Sequence, residues 1–265
     1  MSAAVTTPDL PKQRRERPRW LNGLIGTIII LVLWQVLAEY VFKRKAGVVP
    51  APTAILQQMG KDGWKFYGPN VKATVKIALQ GYVWGNVLAV ITAVVFIQVP
   101  FLERRLLKLA VAVYCLPIIA LGPVLAIVFK GDTPKVILAA LSVFFTTLIS
   151  MLVGLRSAER TSLDLVYAYG GGSWTQLRKV RLHAAIPSLF AGLRIAAPAA
   201  MLGAIIGEYL GAERGLGVSM INSQQAFNVP RTWGIALTAT AVAGLLYGLT
   251  ALVERLIAPW AVRSS

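Results

Sequence analysis

Long apolar runs constrain this chain more than any other feature of its sequence. The hydrocarbon core of a bilayer is about 30 Å thick, and a helix of about 20 apolar residues crosses it. Three runs of this kind carry no charged residue: Leu109–Phe129, Val136–Leu155 and Thr232–Val253. Lipid offers no hydrogen bonds to an open backbone, so these runs are expected to cross as α-helices.

Three further candidate spans carry isolated polar residues: Leu24–Phe42, Ile77–Val99 and Leu189–Leu210. In the first of them, Gln35 and Glu39 are four residues apart and share a helix face. The last holds Arg194 near one end and Glu208 near the other. The sequence therefore predicts an all-α membrane protein with about six transmembrane helices.

The composition is that of a membrane protein and gives no indication of a nucleic-acid partner. Charged residues make up 14% of the chain, against about 25% in soluble domains. The formal net charge is +16, but the cations lie in short patches beside apolar runs, so no nucleic-acid partner is expected. The single cysteine, Cys115, excludes a disulfide framework within the chain. It lies in an apolar run and is expected to be a small buried hydrophobic residue.

The distribution of charge predicts the orientation. Six crossings place both termini on one side, and Lys and Arg are more frequent on that side, which favours a cytoplasmic location for both termini. The predicted organisation is a flexible basic tail (1–23), a transmembrane domain (24–258) and a short cytoplasmic tail (259–265). The longest inside loop, about 156–188, joins the fourth and fifth spans.

This loop contains the stretch AYGGGSWTQLRKVRLHAAIP, residues 168–187. Its three consecutive glycines, which begin at Gly170, permit a sharp change of direction between two short helices. Ser173 is expected to cap the second helix. That helix is amphipathic, with Trp174 and Leu177 on its apolar face, so it is suited to docking on a partner protein or on lipid headgroups.

The glycine triplet does not indicate a nucleotide site. A phosphate-binding loop needs the pattern G-x-x-x-x-G-K-[ST] between a strand and a helix, and neither the pattern nor a strand is found nearby. Clustered acids, histidines or cysteines, which would indicate an enzyme, are also not found. With His183 as the single histidine, no metal site is expected. The chain is therefore not expected to be an enzyme or to hold a cofactor.

The loop resembles the cytoplasmic coupling loop, the EAA loop, of binding-protein-dependent ABC transporter permeases. That pattern has an acid, two alanines, three residues and a glycine, followed by a run that ends in Ile/Val-x-Leu-Pro. Here Asp164-Leu165-Val166 occupies the acid and alanine positions, Gly170 the glycine and Val180-Arg181-Leu182-His183 the end, with Leu165-Val166 in place of the alanines and His183 in place of the proline. Three other stretches also resemble the family: VVPAPTAI (48–55), LPIIALGPVLAIVF (116–129) and GEYLGAERGLG (207–217). The resemblance covers nearly the whole chain and is closest to the branch that imports nitrate, sulfonates, taurine and thiamine precursors.

The resemblance implies an ATP-driven importer for a small anionic or organic solute. This chain would form the translocation path in the bacterial inner membrane, while a separate ATPase, present in two copies, would bind ATP and Mg. The other implied partners are a second copy of the permease and a periplasmic or lipid-anchored solute-binding protein. The residues implied to couple to the ATPase are Asp164, Ala168, Gly170, Gly171, Trp174, Leu177, Leu182 and Pro187.

Candidate residues of the translocation path lie in the third and fifth spans. Pro117 and Pro123 are expected to kink or unwind the third span and to free backbone carbonyls. Tyr114 lies one turn before Pro117 and is a candidate lining residue. Glu208 is an acid at the edge of the fifth span, and both a role in the path and a structural role remain open.

A stand-alone transporter driven by an ion gradient is the alternative function. Such proteins often show inverted repeats or broken helices at matching positions of their two halves, and neither is visible in this sequence. Gly81 and Gly85 form a small-xxx-small pair, which is expected to let two helices pack closely.

Overall fold

The computed structural model describes residues 19–42 and 49–262. The chain divides into two compact units, Met1–Ala54 and Ile55–Ser265. Most of the predicted basic tail, the basic residues 43–45 and the last three residues lie outside the described residues. In the first unit the Gln35 amide donates to Glu39 Oε1 at 2.7 Å and to Thr53 Oγ1 at 3.0 Å, so Gln35 and Glu39 do share a helix face.

The described residues are helical almost throughout. In chain order the elements are α1 (Arg19–Leu37) with a π-helical continuation (Ala38–Phe42), α2 (Pro52–Gln98), α3 (Pro100–Tyr114), α4 (Ile118–Val128), α5 (Thr133–Arg156), α6 (Arg160–Ala168), α7 (Ser173–Gln176) with a π-helical continuation (Leu177–Arg181), α8 (Leu182–Glu208), α9 (Leu216–Gln225), α10 (Val229–Ile257) and α11 (Pro259–Val262). No strand occurs in the described ranges.

Helix α5 is the centre of the second unit, and glycines of α2 and α8 lie directly against it. A Cβ on Gly81 or Gly85 of α2 would overlap Ala139 or the backbone of Ala140. Glycines of α8 also leave little room for a Cβ against α5: Gly192, Gly203 and Gly207. The predicted packing role of the small-xxx-small pair is thereby confirmed, because the two helices approach closer than any side chain would allow.

The predicted third span is broken into α3 and α4, which are bent by 97°. Pro117, which has no amide donor, stands immediately before α4, so the predicted unwinding is confirmed at this proline while α4 continues through Pro123. Cys115 lies in the break and is exposed. The prediction that Cys115 is buried was wrong, because the break removes it from the packed face of a helix.

The broken pair nevertheless makes one crossing. Glu103, near the start of α3, forms an ion pair with Arg156 at the end of α5. The Tyr114 ring stacks on Phe145, in the middle of α5, with 4.4 Å between ring centroids. After α4 the chain enters α5 at Thr133, the opposite end of a helix about 36 Å long. Counted in this way, the described ranges hold six candidate spans, as predicted.

Two predicted boundaries differ from the structure. The fifth span was predicted to begin at Leu189 behind Pro187, but α8 begins at Leu182 and continues through Pro187. A proline inside a membrane helix is tolerated where neighbouring groups re-satisfy the freed carbonyl. Helix α2 begins at Pro52, far ahead of the predicted Ile77, and it is interrupted at Gly63, where φ of 60° and ψ of −175° divide it into two helices.

Substitution of Gly81 by alanine tests the close contact between α2 and α5. We expect Gly81→Ala to destabilise the protein by about 1–3 kcal/mol, because the added methyl overpacks a filled interface. A Cβ on Gly244 of α10 would meet nothing within 4 Å, so Gly244→Ala is the matched control and should be neutral or slightly stabilising. Thermal unfolding in detergent checks both; equal midpoints for the two variants would contradict the proposed contact.

Candidate functional site: the two ends of the helix bundle

The two short helices predicted in the loop between the fourth and fifth spans are present as α6 and α7. Helix α6 ends at a turn in which the Gly170 amide donates to the Tyr167 carbonyl (2.8 Å) and the Gly171 amide to the Val166 carbonyl (2.9 Å). This pair of bonds is a Schellman motif, which needs a left-handed residue at its centre. Gly170 supplies it with φ of 77°, and a Cβ on Gly171 would collide with Val166.

The second helix of the loop is held on the bundle by Leu177 and Arg181. Leu177 is only 2% exposed and belongs to the core cluster that contains Leu155. The Arg181 guanidinium donates to the Leu155 carbonyl, near the end of α5, at 3.1 Å. Gln98, the last residue of α2, donates to the Ser173 carbonyl at 3.4 Å. The loop is thus attached to both α2 and α5, and we call this end of the bundle the loop end.

Two details of the loop differ from prediction. Gly172, rather than Ser173, stands at the N-cap of α7, and the first turn closes by a bond from the Gln176 amide to the Gly172 carbonyl at 3.0 Å. Trp174 was predicted to share an apolar face with Leu177, but it is 65% exposed.

Four large apolar side chains of the loop are exposed: Leu165, Tyr167, Tyr169 and Trp174. Asp164, Ala168, Arg178 and Lys179 are exposed beside them. Of the other predicted coupling residues, Leu182 packs on the core at the base of the loop and Pro187 lies within α8. The loop therefore exposes three aromatic side chains and two cations close to the Gly170 turn along the chain.

The opposite end of the bundle is organised around the start of α9, and we call it the cap end. Three consecutive backbone amides at this start donate to side chains of other helices. The Gly215 amide donates to Asn70 Oδ1 (3.0 Å), the Leu216 amide to Thr74 Oγ1 (2.8 Å) and the Gly217 amide to Glu208 Oε2 (2.7 Å). The first amides of a helix have no partner within the helix, so α2 and α8 supply the acceptors here.

Glu208 is 0% exposed in this arrangement. Its carboxylate lies so close to Gly215 and Gly217 that a Cβ on either glycine would overlap it. A negative charge is also favoured at a helix N-terminus by the helix dipole. These contacts support the structural alternative for Glu208; a role in the translocation path stays a prediction.

Two ion pairs that the sequence reasoning missed connect α10 to the other helices. Arg231 donates to Asp62 of α2, with 2.9 Å between Nε and Oδ2. Arg194 of α8 lies 3.2 Å from Glu254, which is almost completely buried. The sequence could have indicated the second pair, because an ionised side chain within a span, such as Arg194, is expected to have a partner on a neighbouring helix.

The candidate path residues of the third span lie at its break. Tyr114 is half-exposed and lines an apolar cavity of about 130 Å³ together with Phe145. Pro117 starts α4, and Pro123 lies within it beside Gly122, where a Cβ would collide with Leu210. Their role in a path stays a prediction. Among the described residues, no three His, Cys, Asp or Glu side chains are grouped to hold a metal ion.

Comparison with known proteins decides the family. Residues 85–263 match the family described as the binding-protein-dependent transport system inner membrane component. The chain belongs to this family. The matched part runs from within α2 through α5 and the loop to α9 and α10, whereas Asn70 and Thr74 of the cap end lie before it. The ABC permease resemblance predicted from the sequence is thereby confirmed, and a stand-alone gradient-driven transporter is set aside.

Individual permeases of this family align with almost the full chain. The riboflavin transport system permease protein RibX of Chloroflexus aurantiacus is 29% identical over 94% of this chain and 92% of its own length. The taurine transport system permease protein TauC of Escherichia coli is 28% identical over 93% and 94%. The formylaminopyrimidine transport permease protein ThiX of Halalkalibacterium halodurans is 26% identical over 91% and 96%. This permease is therefore a multi-pass membrane component of an ABC transporter.

Substitutions of Glu208 separate its acceptor role from its charge. Glu208→Ala leaves the buried Gly217 amide without a partner and should cost about 1–3 kcal/mol of stability. Glu208→Gln keeps an oxygen acceptor at the same place and should be much milder. Thermal unfolding and transport are measured on both variants. Loss of transport in a stably folded Glu208→Gln variant would show that the charge itself is required, contrary to a purely structural role.

Proposed function

We propose that this permease forms the translocation path of an ATP-driven importer and couples to a separate ATPase through the loop 156–188. The observation that supports it most is the exposure of three aromatic side chains of the loop on either side of the hydrogen-bonded Gly170 turn. Large exposed apolar patches mark interaction sites. An ATPase cleft that receives the loop would cover Tyr167, Tyr169 and Trp174, which are exposed in the chain by itself.

The attachment of the loop suggests how its movement reaches the membrane helices. Arg181 connects the loop to the end of α5, and Gln98 connects it to the end of α2. The loop helix also continues without a break into α8. When two ATPase subunits close on ATP and carry two such loops together, α2, α5 and α8 would move with them. The permease would then switch between inward-open and outward-open states.

The proposed assembly follows from this mechanism. It contains two ATPase subunits that bind ATP and Mg, two copies of this permease, and a periplasmic or lipid-anchored solute-binding protein. The loop end faces the cytoplasm together with both termini, and the cap end faces outward, consistent with the charge bias of the sequence. The enzymatic step, ATP hydrolysis, belongs to the partner.

The proposed substrate is a small organic or anionic solute. The three relatives are named for riboflavin, formylaminopyrimidine and taurine transport. These solutes are small but differ in charge and shape. Selection among them would therefore fall to the solute-binding protein rather than to the permease path.

Substitution of Gly170 tests the coupling role of the loop. Gly170→Val should reduce solute uptake and substrate-stimulated ATP hydrolysis at least about tenfold, because a β-branched residue disfavours the left-handed turn. Gly172 has a negative φ, and a Cβ added there would meet nothing within 4 Å, so Gly172→Ala is the matched control and should retain uptake. Both are measured in proteoliposomes with the co-purified ATPase. Normal uptake by Gly170→Val would refute the assignment.

A further inference from the structure

Helix α2 carries a row of lysines along one of its faces at the cap end. Lys65, Lys72 and Lys76 are exposed and are spaced by seven and four residues, which places them on one side of the helix that follows the break at Gly63. Together with the exposed Arg214, which follows α8, they line one cavity of about 850 Å³. Among the described residues, no acid lines this cavity.

The chain itself does not balance this positive charge. In the described part of the chain, none of the four cations forms an ion pair. The acids Asp132 and Glu213 line an adjoining cavity together with Lys76 and Arg214. Asp132 is bound to Lys135 at 2.9 Å, so Glu213 is the acid left to face the cations. The surface therefore keeps a positive charge that an anionic ligand would neutralise.

Two of the lysines lie at the level where the helices enter the membrane. Gly81 of α2 lies against Ala139, which is six residues after the start of α5 at Thr133. Both helices run away from the cap end, so Lys76, five residues before Gly81, stands beside the first turn of α5. Lys72 lies about 6 Å further out along the helix. The headgroup layer of a bilayer extends about 5–8 Å beyond its hydrocarbon core, so both ammonium groups are placed to reach a lipid phosphate.

Towards the loop end the same face of α2 becomes apolar and remains exposed. Leu79, Val83 and Val87 continue the row at helical spacing and are 45%, 54% and 43% exposed. Val87 lies eleven residues beyond Lys76, which is about 17 Å along the helix and about half of the hydrocarbon core. Leu79 also lines an apolar cavity of about 420 Å³ between α2, α8 and α10. One helix face therefore changes from cationic to apolar at the depth where a phospholipid does the reverse.

We propose that this face of α2 binds an anionic phospholipid of the phosphatidylglycerol type. Its phosphate lies among Lys72, Lys76 and Arg214, and its acyl chains lie along Leu79 and Val83. Cations at the membrane surface attract anionic headgroups, and each methylene of an acyl chain that leaves water or a poor contact adds apolar stabilisation. In the proposed orientation this lipid belongs to the outer leaflet, but its binding does not depend on coupling to an ATPase.

A second copy of the permease fits this face less well than a lipid does. In a two-fold contact the same patch of both copies meets, so Lys72 and Lys76 would approach the same lysines of the copy. Like charges placed together across an interface are costly. A free phosphate ion shares the chemistry of the headgroup, but it leaves the apolar continuation at Leu79 and Val83 uncovered.

Native mass spectrometry of the full-length, delipidated permease tests the proposal. The protein is titrated in detergent with phosphatidylglycerol or with phosphatidylcholine of the same acyl chains, and glycerol phosphate at millimolar concentration is added as a soluble competitor. The test variant is Lys72→Gln with Lys76→Gln. Its matched control is Lys61→Gln with Lys65→Gln, which removes the same charge from exposed lysines that lie about 16 Å or more further out. Thermal unfolding confirms that both variants are folded.

We expect phosphatidylglycerol to bind at least about fivefold more tightly than phosphatidylcholine. The test variant should lose this preference, the control variant should keep it, and glycerol phosphate should not displace the lipid. Equal affinity for the two lipids overturns the proposal. So does an equal loss in both variants, which would indicate a diffuse effect of net charge, and so does displacement by glycerol phosphate, which would indicate a site for free anions.

Photo-cross-linking in the membranes of producing cells tests the apolar half of the site without any change to the lysines. A photoreactive benzoylphenylalanine replaces Val83, and the same residue replaces Tyr167, exposed in the coupling loop, as a control position. Mass spectrometry should find one phospholipid attached at position 83, enriched in phosphatidylglycerol over the membrane composition, and none at position 167. Capture of a protein segment at position 83, from α1 or from a second permease copy, overturns the proposal, as does a captured lipid mixture that matches the membrane. Neither experiment involves the ATPase, so failure here is distinguishable from failure of the proposed function.

Discussion

The close approach of α2 and α8 to the central helix α5 is the constraint on which the rest of the structure depends. Inside a bilayer, helices are not driven together by the hydrophobic effect, so van der Waals packing and interhelical hydrogen bonds hold them. Here glycines replace side chains at the contacts: Gly81 and Gly85 on α2, and Gly192, Gly203 and Gly207 on α8. The three helices therefore have little freedom to slide, and they fix the distance between the loop end and the cap end.

At both ends of the bundle, side chains of one element form hydrogen bonds with backbone groups that another helix leaves without a partner. At the loop end, Arg181 donates to the carbonyl of Leu155 near the end of α5. At the cap end, Asn70, Thr74 and Glu208 accept from the first amides of α9. These side chains belong to other elements than the backbone they satisfy, so each end holds several helices together. A movement imposed on the loop would for this reason be shared by α2, α5 and α8.

Hydropathy was sufficient to predict the number and approximate position of the spans, because only long apolar helices can cross the hydrocarbon core of a bilayer. The sequence also predicted the turn at Gly170 and the packing of Gly81, since both depend on local chemistry. The bend of 97° at Pro117 was predicted only as a kink, because its size depends on what α3 and α4 pack against. The continuous helix through Pro187 was missed for the same reason.

The polar contacts of the cap end could not be predicted from sequence alone. Asn70 and Thr74 lie more than 140 residues before the amides they accept from, and no local pattern indicates such a pairing. Glu208 was identified as unusual, but its full burial under α9 became evident only from the fold.

The orientation of the two ends is the central claim, and chemical labelling tests it most directly. Tyr169→Cys at the loop end and Phe227→Cys at the cap end are each introduced with Cys115→Ser, which removes the single native thiol. A membrane-impermeant maleimide is applied to right-side-out and inside-out vesicles. The account predicts labelling of position 227 only in right-side-out vesicles and of position 169 only in inside-out vesicles. Labelling of both positions from one side, or the reverse pattern, would contradict it.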